Sequence, residues 1–230
     1  MIDRPRHLPL MLTLTFSTGI IDAVGYLGLD RVFTGNMTGN VVILGMALTG
    51  ADGLPVAGPV VALGAFMAGA ALAGACLRTA TAGWSPTATR MFLTVAGVLA
   101  LAATYLAFDP HPAKPAGLAV TGLLGLAMGT QAGTARHVAV REVTTVVVTS
   151  TITALAAESW FGTRRGAQLP RRGSAVALIM LGAAVGALLV HWHPAVGVAI
   201  SAVVSAAVAV LGERDRRAAV VLTGVGAEAA

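Results

Sequence analysis

Charge is what this sequence has least of. Only 11% of its 230 residues are Asp, Glu, Lys or Arg, where a water-soluble domain carries roughly 25%. With 56% hydrophobic residues and a mean hydropathy of +0.81, the chain cannot cover itself with a water-facing surface. Lipid must be the solvent over most of it. Cysteine is almost missing: Cys76 stands alone, which excludes an intrachain disulfide. Acidic residues are outnumbered 10 to 15 by Lys and Arg. The basic residues sit in short stretches between apolar segments and form no stripe interleaved with exposed aromatics. That distribution speaks for membrane topology and against a nucleic-acid partner. Also missing are H-E-x-x-H, G-x-S-x-G and a phosphate-cradling glycine loop. His191 and His193 flank Trp192 without a nearby carboxylate or thiol to complete a metal site. The sequence therefore reads as non-enzymatic, with no catalytic residue, no metal and no cofactor.

What is present is a series of apolar segments. A bilayer core of about 30 Å needs around 20 such residues per helix. Six stretches qualify: Leu8–Leu29, Val56–Leu77, Met91–Phe108, Ala116–Ala135, Ser174–Val190 and Pro194–Leu211. Two more, Val32–Leu48 and Val143–Ala157, are shorter and richer in polar residues. The expected fold is all-α: a polytopic membrane helix bundle of about six transmembrane helices plus two short re-entrant or broken polar segments, in one integral membrane domain over residues 1–230. Arg4 and Arg6 ahead of an apolar run resemble a secretory signal. No small-residue cleavage site follows, so Leu8–Leu29 is expected to be a retained first span. Residues 213–230 are charged, then small and polar, and are expected to fray.

Basic residues decide how the two short segments sit. If the N-terminus is cytoplasmic and both segments return to the side they entered, eleven basic residues lie inside and only Lys114 outside, with Arg31, Arg136 and Arg141 flanking the short segments. If both segments cross, the split is ten against five. The positive-inside bias favours the first arrangement, with both termini on the cytoplasmic side of a bacterial inner membrane. Three crossings per half then orient residues 8–108 and 116–212 oppositely, the 3+3 inverted-repeat plan of many transporters. Laying Val32–Leu48 on Val143–Ser159 pairs Val32 with Val143, Thr34 with Thr145, Thr38 with Thr149 and Leu44 with Leu155. Small residues recur four apart at Gly125, Gly129 and Gly133, at Gly182 and Gly186, and at Gly69 and Ala73. Such rows let helices approach closely, within the chain or across a homodimer.

Polar residues inside these apolar segments are the candidates for function. Asp22 falls within the first span, where a carboxylate is costly unless paired, protonated or wet. It suits a coupling charge, a cation site or a contact to a polar solute. Gly35 and Gly39 bracket Asn36, Thr38 and Asn40, whose amides and hydroxyl can replace hydration or satisfy a broken helix. Non-helical backbone at membrane depth belongs in protein or beside a wet cavity. In the second half Gln131, Arg136, Thr145 and Thr149 take the matching place, with Arg136 as a countercharge for Asp22 if the halves face one another.

Asp22-Ala23 with Tyr26, Val32-Phe33 before Asn36-Met37-Thr38-Gly39-Asn40, and Gly45 resemble the YoaK-like family of bacterial integral membrane proteins. In the second half Gly129, Gln131, Arg136 and Thr144-Thr145 with Thr149 carry the likeness, which spans about residues 10 to 212. Ala132 stands where that family usually has Asn, and Ser150 where it has Gly. The resemblance implies a six-span inner-membrane protein and supplies no substrate; through it Tyr26 joins the candidate site. The leading expectation is a carrier of a small polar solute or ion, lined by Asp22, Tyr26, Asn36, Thr38, Asn40, Gln131, Arg136, Thr145 and Thr149. The rival is a sensor or assembly protein in which the same residues only knit helices together.

Overall fold

A computed structural model describes residues 7–51, 53–138, 148–157 and 169–228. Among the described residues there are helices and no strands: α1 (His7–Gly28), α2 (Met37–Leu48), α3 (Ala57–Leu77), α4 (Pro86–Phe108), α5 (Lys114–Val138), α6 (Val148–Ala157), α7 (Leu169–Trp192) and α8 (Pro194–Glu228). Six of them, all but α2 and α6, are long and apolar enough to cross a membrane. The 12 residues of α2 reach only about 18 Å, well short of the roughly 30 Å hydrocarbon core.

Capping sets where the helices begin. Ser85 accepts the Ala88 N–H and Pro86 opens α4, the position where proline's missing N–H costs nothing. Asn36 accepts the Gly39 N–H at 3.2 Å and so starts α2. Gly28 and Leu29, at the end of α1, line the same hollow as Leu54 to Ala57, at the start of α3. The chain therefore enters and leaves α2 at one end of the bundle, as expected for a re-entrant segment.

Three helix pairs hold the bundle: α1 on α7, α3 on α5, and α4 on α8; contacts of α4 with α5 and of α1 with α8 close it. The rows of small residues make the first two possible. A Cβ on Gly129 would run into the Phe66 carbonyl and one on Gly69 into that of Leu126. Gly182 lies equally close to the Phe16 carbonyl, and Gly19 to that of Ile179. These rows work inside the chain, where close backbone contact replaces the hydrophobic drive that lipid does not supply. Apolar side chains fill the rest, with Ile20, Val24, Leu99, Leu106, Leu124 and Val198 fully buried in one cluster.

The last helix is longer than the apolar stretch Pro194–Leu211, since α8 runs on through Glu228. Glu213 anchors its extension: it accepts from Arg216 and Arg217 on its own helix and from the Thr89 hydroxyl on α4. Thr89 in turn accepts the Trp84 indole N–H at 2.9 Å.

Candidate functional site

The site is made by a turn of chain that re-enters the bundle. After α1 the Val32 N–H bonds back to the Gly25 carbonyl, which folds residues 32–36 down along α1. Gly35 comes to rest against Thr18, and a Cβ there would stand 2.8 Å from the Thr18 methyl. Only glycine allows that approach. The extended stretch leaves backbone N–H groups without helical partners, and side chains supply them. Asp22 Oδ1 accepts from Thr34 N–H at 2.9 Å and from Gly35 N–H at 2.7 Å. Asn40 treats Phe33 as a strand neighbour would: its Oδ1 accepts the Phe33 N–H at 2.9 Å and its Nδ2 donates to the Phe33 carbonyl at 2.6 Å. A carboxylate at the mouth of a helix N-terminus also meets the positive end of that helix's dipole. The costly charge in the first span is thus held by backbone amides.

Beside this junction lies a cavity of about 690 Å³. Asp22 and Tyr26 of α1, and Phe33, Asn36, Met37 and Thr38 around the start of α2, form one side. Ile179, Met180 and Ala183 of α7 close the other, and Thr149 of α6 reaches in from the second half. Tyr26 and Phe33 stack at 5.0 Å between ring centres with 25° between their planes. The volume falls in the range of small-molecule sites, about 300–1,000 Å³.

Five of the nine residues expected from the sequence therefore line one cavity: Asp22, Tyr26, Asn36, Thr38 and Thr149. Three do not. Asn40 is buried and committed to Phe33. Gln131 is fully buried one step behind, donating through Nε2 to the Thr18 hydroxyl at 3.2 Å; its Oε1 has no partner among the described residues. Arg136 is exposed in the last turn of α5 and is no partner of Asp22, whose Oδ1 takes backbone N–H groups instead. Thr145 lies outside the described residues. Sequence reasoning missed Thr18, Phe33 and the α7 wall. Met37 was legible as the apolar position of the Asn-Met-Thr-Gly-Asn run, and Phe33 as the aromatic residue three positions before it. Ile179 and Met180 were not, since nothing in a lone apolar helix names the neighbour it packs on.

Fold and site together define a class: a multi-pass helical membrane protein with a polar re-entrant segment beside a mid-span carboxylate. The chain belongs to the family described as a protein family of unknown function, DUF1275, which it matches over residues 10–211. It is also similar to the UPF0700 transmembrane protein YoaK of Bacillus subtilis (strain 168), with 31% identity over 150 residues. That alignment spans 64% of this chain and 64% of the relative. No solved structure matches the chain.

Proposed function

We propose that this protein carries a small polar solute or ion across the bacterial inner membrane, using the cavity beside Asp22. One observation supports this above the others: exchanging α1–α4 for α5–α8 turns the packing into itself. The α1–α7 contact becomes α5–α3, α1–α8 becomes α5–α4, α2–α3 becomes α6–α7, and α4–α8 returns itself. The match extends to single residues. Gly19 against the Ile179 carbonyl corresponds to Gly129 against that of Phe66, and Gly182 against Phe16 to Gly69 against Leu126. Biased composition can produce chance identities in an alignment, but it does not dictate which backbone carbonyl faces which glycine. Oppositely oriented halves with a broken polar segment at their interface are the plan by which many carriers alternate access around one site. Here residues of both short segments, Thr38 of α2 and Thr149 of α6, border the same cavity.

The same register pairs Asp22 with Ala132 and Tyr26 with Arg136. Arg136 is then the counterpart of an aromatic wall residue and not of the carboxylate. We assign the α1 N-terminal end to the cytoplasm, because Arg78, Arg90, Arg214, Arg216 and Arg217 gather there while Arg31 and Lys114 stand at the other end.

A second reading has its own support. Asp22 and Asn40 bond to backbone at the junction, as expected if the motif only fixes α2 against α1 in a sensor or assembly protein. Uptake of a panel of labelled small polar solutes into proteoliposomes separates the two. A carrier takes up at least one of them, and Thr38→Trp, which fills the cavity from an exposed position, abolishes that uptake while the protein still folds. A panel without uptake, or uptake indifferent to Thr38→Trp, favours the structural reading.

A further inference from the structure

We infer that the ligand of the Asp22 cavity is a small organic cation, an ammonium group on an apolar body; this rests on the cavity being the binding site proposed above. Three observations converge. Among the described lining residues Asp22 is the sole acidic side chain, and no Lys, Arg or His accompanies it. A helix N-terminus left open would favour an anion, but here several of the backbone donors at and before the helix start are taken. The N–H groups of Thr34 and Gly35 go to Asp22, that of Phe33 to Asn40, and that of Gly39 to Asn36. An incoming carboxylate or phosphate would meet the acidic Asp22 and no basic side chain among the described lining residues. Asp22 also borders the cavity itself, so its carboxyl group, though it accepts from the Thr34 and Gly35 N–H groups, stands where a cation could reach it.

The remaining wall suits the rest of such a ligand. Tyr26 and Phe33 form a stacked pair one helical turn from Asp22, and a cation within about 6 Å of an aromatic face gains roughly 0.5–2 kcal/mol. Met37 and Met180 add polarizable thioethers, and Ile43 and Ile179 an apolar floor. A bare metal ion would need several oxygen or nitrogen ligands. The described residues contain no group of three His, Cys, Asp or Glu able to hold one.

The test compares three probes of one shape. The full-length protein in detergent is melted with n-butylammonium chloride, sodium butyrate or 1-butanol, at constant ionic strength made up with KCl. Butylammonium should raise the melting temperature in a saturable way while butyrate and butanol do not, and Tyr26→Leu should raise its dissociation constant roughly 2- to 30-fold. Asp22→Asn should abolish the shift. If that variant does not fold, Tyr26→Leu alone decides. Equal or larger shifts with butyrate or butanol overturn the charge class and leave transport standing. An equal saturable shift when KCl alone is titrated from low salt, in a separate series, makes the site one for a bare ion and overturns the organic part. No saturable shift with butylammonium overturns the inference outright, whatever the uptake assay reads.

Discussion

The two halves pack alike but are furnished differently. In the first, α1 carries Asp22 and the chain after it is tied down by paired backbone bonds from Asp22 and Asn40. In the second, the α5 position matching Asp22 is Ala132, that matching Tyr26 is Arg136, and the α3 wall of Phe66, Met67 and Ala70 repeats the α7 wall of Ile179, Met180 and Ala183. Methionine even recurs at the same exposed spot, Met67 and Met180. On the proposed repeat, the scaffold is present in duplicate and the carboxylate and aromatic lining in one copy. Shape is set by backbone proximity, which both halves need for a closed bundle. If the cavity is the binding site, charge is set by what it holds, and one cavity needs one carboxylate.

If the scaffold is duplicated, matched glycines should fail together. Gly129→Val and Gly182→Val each force a branched side chain into a backbone carbonyl. Neither neighbour can swing aside, so each should cost at least the 1–3 kcal/mol of ordinary overpacking, about 3 kcal/mol or more. Gly64→Val and Gly45→Val, at positions open to their surroundings, should stay within about 0.5 kcal/mol of the native protein. Reversible unfolding in mixed micelles would read all four. Loss at Gly129 with tolerance at Gly182 breaks the equivalence of the halves.

Asn40→Ala comes next. It strands both the N–H and the carbonyl of Phe33 at membrane depth, each costing about 1–3 kcal/mol when buried without a partner. We expect a loss of about 2–4 kcal/mol. Thr38→Ala, two residues earlier but exposed to the cavity, should change stability by less than about 0.5 kcal/mol. The contrast separates the knitting residue from the lining residue within one short motif. Similar melting curves for the two variants would mean that Asn40 does not hold Phe33 in solution.

How much of this was legible beforehand follows from what sequence patterns encode. The six long helices were, because burial in lipid requires long apolar runs, and the re-entry of α2 followed from the basic residues. Asp22, Asn36, Thr38 and Thr149 were visible as polar residues where polarity is costly. Roles within the motif were not: Asn36, Thr38 and Asn40 look equivalent in sequence. Only the fold of residues 32–36 turns Asn40 toward Phe33 and the other two outward. The continuation of α8 past residue 213 was hidden as well, since the pairing of Glu213 with Thr89 joins residues 124 apart. Arg136 was the instructive error. A cation and an anion at loosely similar places in two halves invite pairing, yet the packing register is set by glycines and puts Arg136 a full turn beyond the position of Asp22.

That last point gives the smallest predicted effect. If Asp22 and Arg136 were an ion pair, removing one charge would leave the other uncompensated, and a double-mutant cycle would return a coupling of 0.5–3 kcal/mol, as neighbours in contact typically show. In the present geometry Asp22 is bonded to Thr34 and Gly35 and Arg136 is exposed. Arg136→Ala should therefore change stability by no more than about 0.5 kcal/mol. Its effect should add to that of Asp22→Asn within about 0.3–0.5 kcal/mol. Unfolding of the native protein, the two single variants and the double variant completes the cycle. A coupling above about 1 kcal/mol would mean that the halves meet through charge and that the glycine register misplaces α5 against α1. Additivity would mean that the first half holds its carboxylate by itself, leaving the second half to supply packing and the hydroxyl of Thr149.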